Sequence, residues 1–244
     1  MNNVRSLSVI VPAYNEEGCI RETVISIRGF LKKNFENFEI IVVDDGSTDR
    51  TCKIVSGLSE KIAALRVIRN AENRGKGESV KRGMLSAVSE YILFSDADLS
   101  TPIDEIAGFM DCARNGESII IGSRALKGSN VLKKQSFLRQ NMGRAFNLLV
   151  QTFLFKGIKD TQCGFKCFKK DAAREIFKLQ RTNGFCFDAE ILYIAKKKGY
   201  KIKEVPVKWS NRKDSRVTLI SGSLGMLLDI FRIRINDMAG RYEV

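Results

Sequence analysis

Two aspartates separated by one alanine, Asp96 and Asp98, follow the apolar run ILFS in ILFSDADLSTP, residues 92–102. On an extended chain a spacing of two turns both carboxylates the same way, which suits a ribose hydroxyl and a divalent cation. Three other loops share this polar character: PAYNEE at 12–17, DDGSTD at 44–49 and NRGKGE at 73–78. Asp44 or Asp45 can accept the imide N–H of a uracil, and Tyr14 offers a ring face to the base. Gly75, Lys76 and Gly77 let the backbone approach ribose or phosphate and add a point charge. Taken singly, Asn15, Ser47 or Asp49 reads as a helix cap and Gly46 as a turn residue. Four such loops at four successive strand ends read together as a nucleoside diphosphate site. Neither GxxxxGK[ST] nor GxGxxG occurs, which excludes a P-loop and a dinucleotide fingerprint.

The elements that must position these loops are legible as βαβ units. Leu7–Val11 and Phe38–Val43 are short, β-branched and almost wholly apolar, as strands buried on both faces of a parallel sheet are. Between them Ile20, Val24, Ile27 and Leu31 recur at helical spacing. The pattern continues with a helix at 50–59, a strand at 65–69, a helix at 77–89 and a strand at 91–95. A helix at 103–113 and a strand at 118–122 follow. Further helices are expected at 136–155, 171–177 and 187–198, and one strand at 201–209. In an open parallel sheet the ligand crevice lies at the carboxyl ends of the strands, where all four loops fall.

Composition narrows the chemistry. The chain of 244 residues contains no histidine, so Ser/His/Asp hydrolysis, Cys/His proteolysis and His-ligated metals are excluded. A metal here needs oxygen ligands, which points to Mg²⁺ or Mn²⁺. The six cysteines are scattered without a CxxC pair and read as reduced, packed thiols. Residues 1–123 hold 15 Lys/Arg against 18 Asp/Glu, a balance of −3; residues 124–244 hold 26 against 10, a balance of +16. The second half therefore faces something anionic: nucleic acid, an acidic membrane or a phosphorylated substrate. No apolar run reaches the roughly 18 residues of a spanning helix, and Met1–Ser8 lacks a secretory core, so a cytosolic location is expected.

Together PAYNEE, VVDDGSTD, GKGESVKRGM, DADLSTP and GSR resemble the family 2 nucleotide-sugar glycosyltransferases of GT-A fold, over nearly the whole chain. GIKDTQCGFKCF, FDAEILYIA and EVPVKW resemble the lipid-phosphate branch of that family, above all the dolichyl-phosphate glucosyltransferases. The resemblance implies an α/β fold with a Rossmann-like, mostly parallel sheet flanked by helices, and a single domain over 1–244. Residues 1–123 would form the nucleotide-sugar half, 124–216 the basic acceptor half and 217–244 an amphipathic segment. It implies inverting transfer from a nucleoside diphosphate sugar, UDP-glucose foremost, to a polyprenyl or dolichyl monophosphate. The nucleotide-sugar site falls on Pro12, Tyr14, Glu16, Asp44, Asp45, Lys76, Asp96 and Ala97, and the metal aspartate on Asp98. Mannosyl relatives often read DADLQ, with the glutamine assisting the metal; Ser100 stands there in this chain.

A sugar hydroxyl acceptor needs a general base, whereas a phosphate monoester already carries about −1.5 to −2 charges and needs cations instead. Arg124, Arg139 and Arg144 are the expected guanidinium forks. Asp188 and Glu190 of FDAE stand where relatives keep their base region and read as partners of sugar hydroxyls or of arginines, or as structural groups. Asp160 and Gln162 can bind sugar hydroxyls or order their loop, and Trp209 can stack on sugar or lipid. FNLLVQTFLF at 146–155 and VTLISGSLGMLLDIFRIRI at 217–235 carry wide apolar faces. Asp229, Arg232 and Arg234 argue against spanning and for a position on an anionic cytosolic membrane surface; packing on the core or on a second subunit is the other reading. A family 2 transferase using UDP-N-acetylglucosamine or GDP-mannose or a saccharide hydroxyl acceptor, and a nucleic-acid module, are the rivals, and the last leaves the acidic loops without a purpose.

Overall fold

Branched apolar residues alternate onto both faces of the strands, and that alternation builds a three-layer α/β structure. The computed structural model describes residues 4–133, 137–210 and 221–243, without the side chains of 133, 137–140 and 221–224. Strands β1 (Ser6–Ala13), β2 (Asn37–Asp44), β3 (Leu65–Arg69) and β4 (Tyr91–Ser95) are parallel and alternate with α1 (Ile20–Asn34), α2 (Thr51–Ser59) and α3 (Lys76–Ser86). A 3₁₀ turn at Ile103–Glu105 leads into α4 (Ile106–Arg114) and β5 (Ile119–Ser123). Then come β6 (Asn130–Lys133), α5 (Phe137–Phe153), β7 (Phe165–Lys169), α6 (Lys170–Leu179) and α7 (Phe187–Lys197). Strands β8 (Lys203–Pro206) and β9 (Lys208–Ser210) and helix α8 (Ser221–Met238) complete the order.

The main sheet has seven strands in the order β3-β2-β1-β4-β7-β5-β8, and β7 runs antiparallel to both its neighbours. Ile10, Ile41, Val43, Phe94, Ile121 and Phe168 face a core shared with α3, α6 and α7. Their neighbours Val9, Val11, Ile40, Val42, Leu93 and Phe165 face α1 and α4. Strands β1, β2, β4 and β5 are thus apolar and buried at most positions, as burial on both faces requires.

Apart from β6, which was not expected, two features depart from the expected elements. The stretch expected to form one strand at 201–209 is two strands in two sheets: β8 pairs with β5, and β9 pairs with β6. Pro206, which has no N–H to donate, ends β8, and the Val207 carbonyl turns to accept the Asn130 amide. The second departure is β7, a strand where none was expected, just after the loop of Asp160 and Gln162. It fills the gap between β4 and β5, so the sheet crosses residue 123 without a break.

Candidate active site

The loops after β1, β2 and β3 are tied to one another by side chains that bond backbone. Asp45 is buried; it accepts the amides of Arg74 (3.0 Å) and Gly75 (2.9 Å) and the Asn70 side-chain amide (2.5 Å). Asn15 Oδ1 accepts the amide of Thr48 (2.7 Å), and Ser47 Oγ accepts the amide of Asn15 (2.9 Å). Asp45 therefore shapes the NRGKGE loop with both oxygens. Asp44 differs: it is fully buried, Oδ1 accepts the Ser47 amide, and Oδ2 has no hydrogen bond, although Arg69 Nε lies 3.4 Å away. A buried carboxylate oxygen still short of a donor is suited to the imide N–H of a base. Pro12 is buried within β1, and half-buried Tyr14 and Glu16 follow at its carboxyl end. The Glu16 carbonyl accepts the amides of Cys19 and Ile20 and so starts α1.

Asp96 and Asp98 leave the end of β4 through a backbone held from two sides. The Ala97 carbonyl accepts Thr23 Oγ1 of α1 at 2.5 Å, and Leu99 adopts a left-handed φ of 48°, rare for a branched residue. Asp96 Oδ1 accepts Lys76 Nζ at 2.6 Å. A side chain on Gly164 would collide with the Asp96 carboxylate, so that glycine forms the wall behind it. Asp98 accepts the Ser100 amide (2.9 Å) and the Ser100 hydroxyl (2.6 Å). Ser100, the departure from the mannosyl pattern, is thus the residue that orients the expected metal ligand. Burial works against the charge of Lys76, but Asp96, Asp188 and Asp98 outweigh it and raise its pKa.

Strand β7 adds a residue that sequence reasoning missed. Lys166 is fully buried among aromatics, its ammonium 5.4 Å from the Phe94 ring centre; it donates to the Cys163 carbonyl (2.6 Å) and is ion-paired with Asp188. Burial raises the Asp188 pKa, and Lys166 and Lys76 offset this only in part. The signal was a lysine in the middle of the strand-like FKCFK, where only a buried partner makes the charge tolerable.

Arg124, expected as an acceptor cation, is already engaged. Its Nε and Nη2 grip the Asp160 carboxylate at 2.7 and 2.8 Å, and its guanidinium lies 5.4 Å from the centre of the buried Trp209 ring. Burial opposes the charge on both partners; the pairing prevails, raising the Arg124 pKa and lowering that of Asp160. Gln162, whose amide bonds Asp160, has a buried Nε2 without a partner. Arg144 is exposed on α5; Arg139 belongs to α5, but its side chain lies outside the described residues. Glu190 is fully buried and accepts the amides of Arg181 and Thr182 and the Tyr242 hydroxyl, a loop-holding position rather than an open one.

Residues 8–177 match the family model described as Glycosyl transferase family 2. The chain belongs to that family. It is 40% identical over 250 residues to the dolichyl-phosphate beta-glucosyltransferase of Dictyostelium discoideum, covering 98% of this chain and 76% of that protein. It is 35% identical to the Saccharomyces cerevisiae enzyme of the same name (97% and 76% covered) and 34% identical to the human one (98% and 78%). Among solved structures it resembles glucosyl-3-phosphoglycerate synthase from Mycobacterium tuberculosis, in complex with Mn²⁺, UDP and glucosyl-3-phosphoglycerate. That match has a TM-score of 0.67 at 18% identity, covering 94% of this chain and 80% of that one. It also resembles mannosyl-3-phosphoglycerate synthase from Rubrobacter xylanophilus, with a TM-score of 0.71 at 15% identity (98% and 76% covered). These likenesses confirm the GT-A fold, and this family 2 member is a glycosyltransferase.

Proposed function

We propose that this glycosyltransferase moves glucose from UDP-glucose to the phosphate of a polyprenyl or dolichyl monophosphate, with inversion at the anomeric carbon. The observation that carries the reading is the identity of 34–40%, along nearly the whole chain, to enzymes named for that reaction. The donor lies over the ends of β1, β2 and β4. Asp44 Oδ2 accepts the uracil imide, Tyr14 faces the base, and Pro12, Glu16, Asp45 and Ala97 shape the floor. Asp96 holds the ribose, and Lys76 meets the diphosphate. The oxygen-only donor set fits a hard cation that shares its shell with phosphates and water, and no cluster of three or more His, Cys, Asp or Glu among the described residues provides a closed cage instead. Asp98, oriented by Ser100, would hold Mg²⁺ or Mn²⁺, which when bound stabilises the departing diphosphate as a Lewis acid.

The acceptor phosphate oxygen attacks without a base, being already anionic. This agrees with Asp188, the carboxylate from which a base would come, being held by Lys166. Arg139 and Arg144 draw the acceptor phosphate, while the Arg124–Asp160 fork, Gln162 and Trp209 border the sugar. Exposed Leu148 and Phe153 of α5 and Leu228, Phe231, Ile235 and Met238 of α8 supply apolar contact with lipid; the rings of Phe153 and Phe231 meet at a tilt, their centres 5.6 Å apart. With exposed Arg144 and Arg232 beside them, these helices rest on the anionic cytosolic face of a membrane. No helix among the described residues is long and apolar enough to cross one. Residues 1–123 then serve the donor, 124–216 the acceptor and 217–244 the membrane, within one domain.

The test is incubation with UDP-glucose, Mn²⁺ or Mg²⁺ and a short polyprenyl phosphate. A glucosyl phosphate lipid is expected, with the acceptor KM raised in Arg139→Ala and Arg144→Ala. Release of UDP with hydroxyl acceptors alone would overturn the acceptor, and turnover only with another nucleotide sugar would overturn the donor.

A further inference from the structure

Glu190 and Tyr242 are fully buried, and a short series of bonds joins them to the loop that carries Lys76. The Asn183 carbonyl accepts the Gly77 amide at 2.7 Å, and Gln180 Nε2 donates to the carbonyls of Gly77 and Thr182, each at 2.9 Å. Gly75 has a φ of 99°, and a side chain there would collide with the Asn183 carbonyl. The donor loop is therefore moulded on the backbone of residues 180–184. That backbone is held in turn by Glu190, which accepts the Arg181 amide at 3.1 Å and the Thr182 amide at 2.7 Å. Tyr242, fully buried after α8, donates its hydroxyl to Glu190 at 2.6 Å. Its own segment is fastened to α7 by Lys197, which pairs with Asp237 and, at 2.9 Å, with Glu243.

We propose that Tyr242 and Glu190 are positioning residues for the donor loop. The hydroxyl fixes the carboxylate, the carboxylate fixes the amides of residues 181 and 182, and the loop so held sets Gly75–Gly77 and the reach of Lys76. The role rests on the reading of that loop as a nucleoside diphosphate site. It links the end of α8, the helix assigned to the membrane, to the affinity for the donor.

Wild type, Tyr242→Phe and Glu190→Gln are compared by UDP titration with Mn²⁺, by steady-state kinetics and by amide hydrogen exchange without ligand. Tyr242→Phe is expected to weaken UDP binding about three- to tenfold, the scale of one ordinary net hydrogen bond. It raises the KM for UDP-glucose by the same factor and leaves kcat and the polyprenyl phosphate KM in place. Exchange speeds up at 74–78 and 181–183 but not in β1 or β4. Glu190→Gln acts in the same direction and more strongly. An unchanged donor KM beside a lower kcat or folded fraction means a purely structural role and overturns the proposal. Should UDP fail to bind even the wild type, the donor reading falls by itself. Exchange at 74–78 then decides the link: acceleration in Tyr242→Phe supports it, and none overturns it.

Discussion

At the ends of β1, β2 and β3, side-chain oxygens accept backbone amides of the neighbouring loop; at the ends of β5 and β7, carboxylates meet cations. Asp45, Asn15 and Ser47 belong to the first kind. Arg124–Asp160 and Lys166–Asp188 belong to the second. An amide held by an aspartate makes a fixed shape with little dependence on any other side chain. A buried ion pair has meaning only when both partners are present, and each partner alone is a liability. The loops of the proposed donor side are thus held mainly through backbone amides, with Lys76–Asp96 and Arg69–Asp44 as their ion pairs, and the proposed acceptor side mainly through buried ion pairs. The expected cation at Arg124 is neutralised there by Asp160, so under the proposed function an anionic acceptor would be drawn by the arginines of α5.

Removing one member of a pair should break the second region most. Lys166→Met leaves Asp188 buried without its cation and is expected to cost about 3–5 kcal/mol in urea unfolding, with much of it recovered in Lys166→Met/Asp188→Leu. A loss under about 1 kcal/mol would erase the contrast between the regions. Asp98→Ala should lower kcat by about a hundredfold or more, roughly 2.7 kcal/mol of barrier, and abolish the Mn²⁺ dependence of UDP binding by titration; retained turnover would remove the metal from Asp98. Asp45→Ala deprives the amides of Arg74 and Gly75 of an acceptor, so a loss of about 1–3 kcal/mol and a higher donor KM are expected. Asp45 would then count as a builder of the loop, which agrees with Asp44 as the proposed base-reading group.

The smallest effect concerns acid. The folded-state pKa of Asp160 lies below its ordinary value because Arg124 outweighs burial. Its contribution is present above the unfolded value of about 3.9 and fades as pH falls below it. Unfolding curves from pH 5 to 2 should therefore fall more steeply for the wild type than for Arg124→Met/Asp160→Asn; equal slopes would show that the fork adds nothing in acid.

The first region was legible because each of its devices is local in kind: an apolar run, a polar turn, a glycine, a helix. β1 to β4 and their loops follow directly from that pattern. The second was not. β7 runs Phe165, Lys166, Cys167, Phe168 and exposed Lys169, and the buried lysine hides a strand whose other buried positions are apolar; only the approach of Asp188 makes it fit. The Arg124–Asp160 fork and the Glu190–Tyr242 bond span 36 and 52 residues, and no spacing announces them. Ser100 was visible as a departure, yet its bond to Asp98 depends on the left-handed turn at Leu99, which sequence does not display.

The antiparallel β7 also dictates the order in which the molecule is completed during synthesis. β1 to β4 can pair among themselves as soon as residue 95 has emerged, but the open edge of β4 waits for residues 165–169. β5, made earlier, has no neighbour until β7 and β8 arrive. A nascent chain halted near residue 123 would therefore carry β1 to β4 with the edge of β4 bare, β5 unpaired, and the 73–78 loop still without the 180–184 backbone it rests on, a form suited to chaperone capture or aggregation. The insertion that brings Lys166 to the site is also the step that closes the sheet.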